Sequence, residues 1–185
     1  FAQSAKYFII ATLAMFVGVS VNLDWLGGLF LRGEGFKEGL GVVPFLLMAN
    51  VCLGVYYNLS IWFKITDRTR FGAWIGGIGA LITLTANYFL IPILGYYGSA
   101  IATVCCYGSM MTMCYLLGQK YYPVAYNLKS AGFYTLLAVV LVAIAFFQPY
   151  QTFYHKLFIS NAFFLAFLAV VYFKEKKALM SLIRR

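Results

Sequence analysis

The sequence predicts an all-α membrane protein, a bundle of six transmembrane helices, on three observations. Apolar residues make up 63% of the chain and charged residues 10%, with a mean hydropathy of +0.85. A soluble domain has about 45–50% and about 25%. Six apolar runs of spanning length follow one another, over about 7–23, 40–61, 71–92, 98–118, 130–148 and 157–173. Finally, Lys and Arg sort between the two sides of those runs. One side holds Lys6, Lys64, Arg68, Arg70, Lys120, Lys129, Lys174, Lys176, Lys177, Arg184 and Arg185; the other holds only Arg32, Lys37 and Lys156. By the positive-inside tendency, both ends of this chain are expected on the cytoplasmic side. The same distribution answers the nucleic-acid reading that a net charge of +9 invites, because most of that charge is placed to anchor helices. The chain starts at Phe1 with no signal pattern before the first run, and is expected to be an excised part of a longer protein.

The first run continues toward Leu31 as an amphipathic extension. Beyond it, Asn22, Asp24, Arg32, Glu34, Lys37 and Glu38 gather polar side chains among Gly27, Gly28, Gly33 and Gly35. A solvated loop with compensating charges accounts for this cluster; so does the polar rim of a central cavity. Asp24 reads as the only acid close to an apolar core.

The second run ends in Gly54-Val-Tyr-Tyr-Asn-Leu-Ser-Ile-Trp-Phe-Lys64. Asn50, Tyr57 and Lys64 fall on one helical face that can line a hydrophilic path, while helix–helix hydrogen bonding explains the asparagines equally well. The sequon Asn58-Leu-Ser60 lies within this run, which argues against glycosylation.

The third and fourth runs form the expected packing core. Phe71 to Pro92 is uncharged for 22 residues and Gly98 to Gly118 for 21. Pro92 and Gly95 are expected to break the helix and Gly98 to restart it, which forces two antiparallel neighbours. Gly72, Gly76, Ala80, Thr83 and Asn87 make one small and polar stripe, and Gly98, Ala102, Cys105 and Ser109 a matching one. In lipid such stripes let backbones approach closely.

The last two runs carry little specific chemistry. Gln148 to His155 reads as an outer turn, and Lys174 to Arg185 as a basic tail suited to anionic lipid heads. Tyr88, Tyr96, Tyr97, Tyr150 and Tyr154 on one side, and Tyr121, Tyr122 and Tyr126 on the other, suit interfacial belts. Cys52, Cys105, Cys106 and Cys114 all lie in apolar runs without a CxxC pair and read as buried small hydrophobes. There is one histidine, His155, and no HExxH, Walker A or GxSxG pattern. No cofactor or metal is expected, and the chain does not read as an enzyme.

Several of these stretches resemble a known family. Leu47 to Lys64, Thr66-Asp-Arg-Thr-Arg-Phe-Gly72, Asn87-Tyr-Phe-Leu-Ile-Pro92 and Gly95-Tyr-Tyr-Gly-Ser-Ala-Ile-Ala-Thr103 together resemble bacterial O-antigen and oligosaccharide flippases of the multidrug/oligosaccharidyl-lipid/polysaccharide (MATE-like) superfamily. The resemblance runs from about residue 5 to 128. It implies the C-terminal lobe of a two-lobe transporter in the bacterial cytoplasmic membrane, whose N-terminal lobe is not in this chain. It implies translocation of an undecaprenyl-pyrophosphate-linked oligosaccharide by alternating access, for lipopolysaccharide, capsule or exopolysaccharide synthesis. The implied partners are that lipid-linked oligosaccharide, membrane lipid and the other lobe, with no nucleic acid. A cationic cavity puts forward Arg32, Lys37 and Lys64, with Asn50, Tyr57 and Asn87 as polar lining. A cation-coupled drug exporter of the same superfamily is the competing expectation, with Asp24 as its candidate ion-coupling carboxylate. A membrane glycosyl or acyl transferase would have only His155 and Asp24 to work with.

Overall fold

The computed structural model describes residues 2–30, 39–147 and 153–183, and among them only helices occur, with no strand. In order they are α1 (Ala2–Val21), α2 (Leu23–Phe30), a 3₁₀ turn (Leu40–Val42) leading into α3 (Val43–Leu59), α4 (Ile61–Ile65), α5 (Arg70–Leu94), α6 (Tyr96–Tyr121), α7 (Leu128–Phe147) and α8 (Phe153–Ile183). Six stretches are long and apolar enough to cross a membrane: Ala2–Val21, Leu40–Ile65, Arg70–Leu94, Tyr96–Tyr121, Leu128–Phe147 and Phe158–Lys176. Hydrocarbon offers a backbone no hydrogen-bond partner, so such a chain closes its own bonds as helix.

The breaks between helices are short and locally satisfied. At the end of α1, the Asn22 amide Nδ2 donates to the Gly18 carbonyl at 3.0 Å. The extension toward Leu31 is a separate helix, α2, rather than more of α1. Pro44 sits in the first turn of α3, where its missing N–H is not needed. Within the second span, Ser60 interrupts the helix; its hydroxyl donates to Tyr57 O at 2.7 Å and its N–H to Tyr56 O at 2.8 Å.

The chain divides into two compact units, Phe1–Ile9 with Glu38–Asn127 and Ile10–Lys37 with Leu128–Arg185. Helix α1 thus gives its first turns to one unit and the rest to the other.

In the first unit α6 packs along both α5 and α3. The α5–α6 turn corrects the expectation about Pro92. That proline lies inside α5, which continues to Leu94, and the turn is made by Gly95 alone. Gly95 takes φ +56°, a conformation an L side chain resists, and its N–H donates to Ile91 O at 2.8 Å. Pro92 costs one helical hydrogen bond in the last turn of α5. Nor does Gly98 restart the helix, since α6 begins at Tyr96. Gly98 is instead where α6 presses on the end of α5: an added Cβ would meet the Leu90 carbonyl oxygen and lie 2.6 Å from its carbon.

The stripes also need correction. On α5 the buried positions are Ile75 and Gly79, whereas Ala80 is exposed and a Cβ on Gly76 would meet nothing. On α6, Gly98 and Ala102 are buried as expected, but Cys106 rather than Cys105 follows them. From Ala80 to Gly79, and from Cys105 to Cys106, the seam is shifted by one residue, about 100° of rotation. Side-chain bulk decides it. A Cβ on Gly79 would sit 2.7 Å from Met110 Sδ, and the Cys106 thiol donates to Gly79 O at 3.2 Å. Three of the four cysteines are buried, and Cys105 is the exception.

Where α4, α5 and α6 meet, Tyr56, Leu59, Trp62, Phe63, Ile75 and Cys114 form the core. Trp62 lies against α6 at Gly118, where a Cβ would be 3.1 Å from its ring, and its indole N–H donates to Cys114 O at 3.3 Å. At the other end of the unit, Tyr97 fills the space left by Gly41 and packs edge-on against Phe45 at 6.3 Å.

In the second unit α7 and α8 are neighbours. Tyr134, Ala138, Val142 and Ala145 form the buried stripe of α7, and Ser160, Phe167 and Glu175 are buried on α8. Gly18 of α1 accommodates Phe164 of α8, whose ring is 3.1 Å from where a Cβ would stand.

Candidate functional site

Of the expected path residues, Asn50, Tyr57 and Lys64 are all exposed. Along α3 and α4 the buried side chains are Ala49, Val51, Cys52, Tyr56, Leu59, Trp62 and Phe63, of which Tyr56, Leu59, Trp62 and Phe63 belong to the core of the first unit. Asn50, Tyr57 and Lys64 stand outside that core, Tyr57 with 59% of its surface accessible. Asn50 lies near the middle of the 26-residue span Leu40–Ile65. Its amide Nδ2 donates to Leu46 O of its own helix at 2.8 Å. Among the described residues this bond stays within α3, and no bond from Asn50 to a neighbouring helix is seen. The Tyr57 ring leans on Tyr56, with centroids 5.4 Å apart.

Asn87 does not join this group. Helix α5 starts beside Lys64 and runs away from it, so Asn87 stands about 25 Å along the helix from Arg70 at 1.5 Å per residue. It is half-buried, and its side-chain oxygen Oδ1 is buried with no hydrogen-bond partner among the described residues. Asp24 is exposed in the first turn of α2, in the other unit. Arg32 and Lys37 lie outside the described residues, as do Gln148–Thr152 of the expected outer turn; His155 belongs to α8.

Two features escaped the sequence reading. The first is in the second unit, where the last two spans carry more chemistry than expected. Tyr134 is 0% exposed and Glu175 4%, and the phenol donates to Glu175 Oε1 at 2.8 Å. Asp24 is therefore not the only acid set against an apolar core. Beside the pair, Lys174 Nζ stands 3.5 Å over the Phe133 ring. The one sequence signal was an acid among lysines directly after the sixth run, in Lys174-Glu-Lys-Lys177. Tyr134→Phe is expected to cost about 1–3 kcal/mol, because a buried carboxylate oxygen loses its donor. Glu175→Gln, which still accepts the bond, should lose less; thermal unfolding of both variants checks this, and an unshifted Tyr134→Phe would contradict it.

The second lies where α4, α5 and α6 meet. Tyr121 stacks nearly parallel on Trp62, with centroids 5.8 Å apart and planes 16° apart, while Arg68 and Lys120 stand at 4.7 and 5.7 Å from the same Tyr121 ring. Nothing in the local sequence reveals it, since Arg68 and Tyr121 are brought together only by folding. Nearby, between α6 and α7, Gln119 donates to Val124 O at 2.7 Å, and burial pushes the Tyr126 phenol above its usual range, so it stays neutral.

Among the described residues no three His, Cys, Asp or Glu side chains come together as metal ligands would. No protein-family model matches the chain, and no curated protein or solved structure matches it. The fold by itself defines a class, a multi-pass helical membrane protein with six helices of spanning length.

Proposed function

We propose that this chain is one six-helix lobe of a flippase that carries a polyprenyl-pyrophosphate-linked oligosaccharide across the bacterial cytoplasmic membrane. On this reading both ends of the chain are cytoplasmic and the α5–α6 turn faces outward. It performs no covalent chemistry, and it works with a second lobe by alternating access.

The observation that carries this reading is the exposure of polar side chains along α3 and α4. A strongly polar side chain facing hydrocarbon in mid-span, as Asn50 would, is costly, so such groups line cavities or meet partners; Lys64 stands at the end of the span, at headgroup depth. Asn50, Tyr57 and Lys64 stand outside the packed core of their unit, as a lobe requires if it shares a polar cavity with another lobe. Lys64 supplies a cation for the pyrophosphate, and Asn50 and Tyr57 supply hydrogen-bonding groups for sugar hydroxyls. The polyprenyl tail stays in lipid. The motif residues on α3 to α6 add the family resemblance to this support.

The experiment follows the lipid-linked oligosaccharide on each side of the cytoplasmic membrane in cells depleted of the full-length protein. Cytoplasmic accumulation, relieved by wild type but not by Lys64→Ala, is the expected result. Unchanged sidedness, with export of a cationic dye lost instead, would sink the flippase and favour a drug exporter.

A further inference from the structure

We propose that Arg68, Lys120 and the ring of Tyr121 form a binding site for the phosphate of an anionic membrane phospholipid. The site depends on the first unit alone and stands whether or not the protein is a flippase.

Two cations from different elements are held against one ring. Arg68 comes from the turn between α4 and α5 and Lys120 from the end of α6, and both are exposed. Both lie within the reach of about 6 Å at which a ring attracts a cation. Among the described residues neither forms an ion pair with a carboxylate, and Asp67, next to Arg68 in the chain, is paired with neither. Two like charges gathered without a counter-ion repel each other, and an anion bound between them removes that cost.

The floor of the site is firm. Tyr121 rests on Trp62, which is 5% exposed, and tilts against Phe71 at 5.1 Å. The turn that presents Arg68 is held as well. Thr66 Oγ1 donates to Trp62 O and the Arg68 N–H to Phe63 O, both at 2.8 Å. Between them Asp67 takes φ +53°, a left-handed conformation that costs a non-glycine residue roughly 1 kcal/mol or more. The chain accepts that strain in the turn that carries the guanidinium.

The surroundings select a lipid over a soluble anion. The spans Leu40–Ile65, Arg70–Leu94 and Tyr96–Tyr121 all have an end here, so the site lies at headgroup depth. One helical turn before Lys120, Leu116 is 61% exposed on the same face of α6, giving an acyl chain apolar surface directly below the phosphate. Arg68 offers the planar fork that binds a phosphate bidentately, and Lys120 a second charge.

The test is native mass spectrometry of the full-length protein in detergent, titrated with dioleoyl phosphatidylglycerol and, separately, dioleoyl phosphatidylcholine. Wild type should retain the anionic lipid at concentrations lower by about thirtyfold, the combined effect of roughly two basic contacts. Arg68→Gln with Lys120→Gln should abolish that preference. Arg68→Lys with Lys120→Arg, which keeps both charges, should preserve most of it, as should Lys129→Gln on α7. Equal retention of both lipids by wild type overturns the proposal. So does loss of the preference in Lys129→Gln or in the charge-keeping swap, or displacement of the lipid by inorganic phosphate.

Discussion

Gly98→Ala is expected to destabilise the protein by about 2–3 kcal/mol, although it adds a single methyl group. The new Cβ would meet the Leu90 carbonyl oxygen and lie 2.9 Å from Ile91 N, all backbone atoms at the end of the preceding helix. No rotamer change relieves that overlap, so α6 must move off α5, and forced overpacking typically costs 1–3 kcal/mol. The turn leaves little room for this, with Gly95 as its single non-helical residue and the Gly98 N–H donating to Gly95 O at 3.0 Å. Gly108→Ala on the same helix is the control. A Cβ there meets nothing within 4 Å, and alanine's better helix propensity makes the change neutral or stabilising by up to about 1 kcal/mol. Thermal unfolding of the two variants side by side decides the matter, and equal midpoints would show that the close approach at Gly98 carries no weight.

Trp62→Ala should be costlier still, at about 3–5 kcal/mol. Trp62 contacts Phe63, Phe71 and Tyr121, with ring centroids between 5.4 and 5.8 Å away, and lies where Gly118 leaves space on α6. Its removal opens a cavity bounded by three elements and takes away the floor under Tyr121. Trp62→Phe keeps an aromatic ring but not the indole N–H bonded to Cys114 O, and about 1 kcal/mol is the expected loss for that bond. If the alanine variant unfolded no earlier than the phenylalanine variant, the cluster would not be the keystone of its unit. The alanine variant should also lose the anionic-lipid preference, even though Arg68 and Lys120 remain.

The candidate path was half legible beforehand. The seven-residue steps from Asn50 to Tyr57 to Lys64 put all three on one face of any unbroken helix, and in the structure all three are exposed. Periodicity does not tell whether that face turns inward or outward; the answer came from Ala49, Cys52 and Tyr56, which take the inside. The resemblance implies Asn87 as polar lining beside them, but helix direction sends it to the far end of the unit. Arg32 and Lys37 lie outside the described residues.

The sequence by itself determined that this is an all-helical membrane protein with six spans, because that follows from local quantities: the length of an apolar run, the absence of charge within it, and the need of a backbone in lipid to satisfy itself. It also determined that α5 and α6 are antiparallel neighbours, since the few residues from Pro92 to Gly98 leave no room for another course. Tertiary structure alone decided which side of each helix is the seam. Small residues permit close approach at many positions, Gly76 and Ala80 as well as Gly79, and the bulk of Met110 and Trp62 on other helices selects among them. It alone decided, too, that Tyr134 finds Glu175 and that Arg68 and Lys120 share the ring of Tyr121. Tyr134 and Glu175, and Arg68 and Tyr121, are far apart along the chain, and the local pattern of one does not say which residue it meets.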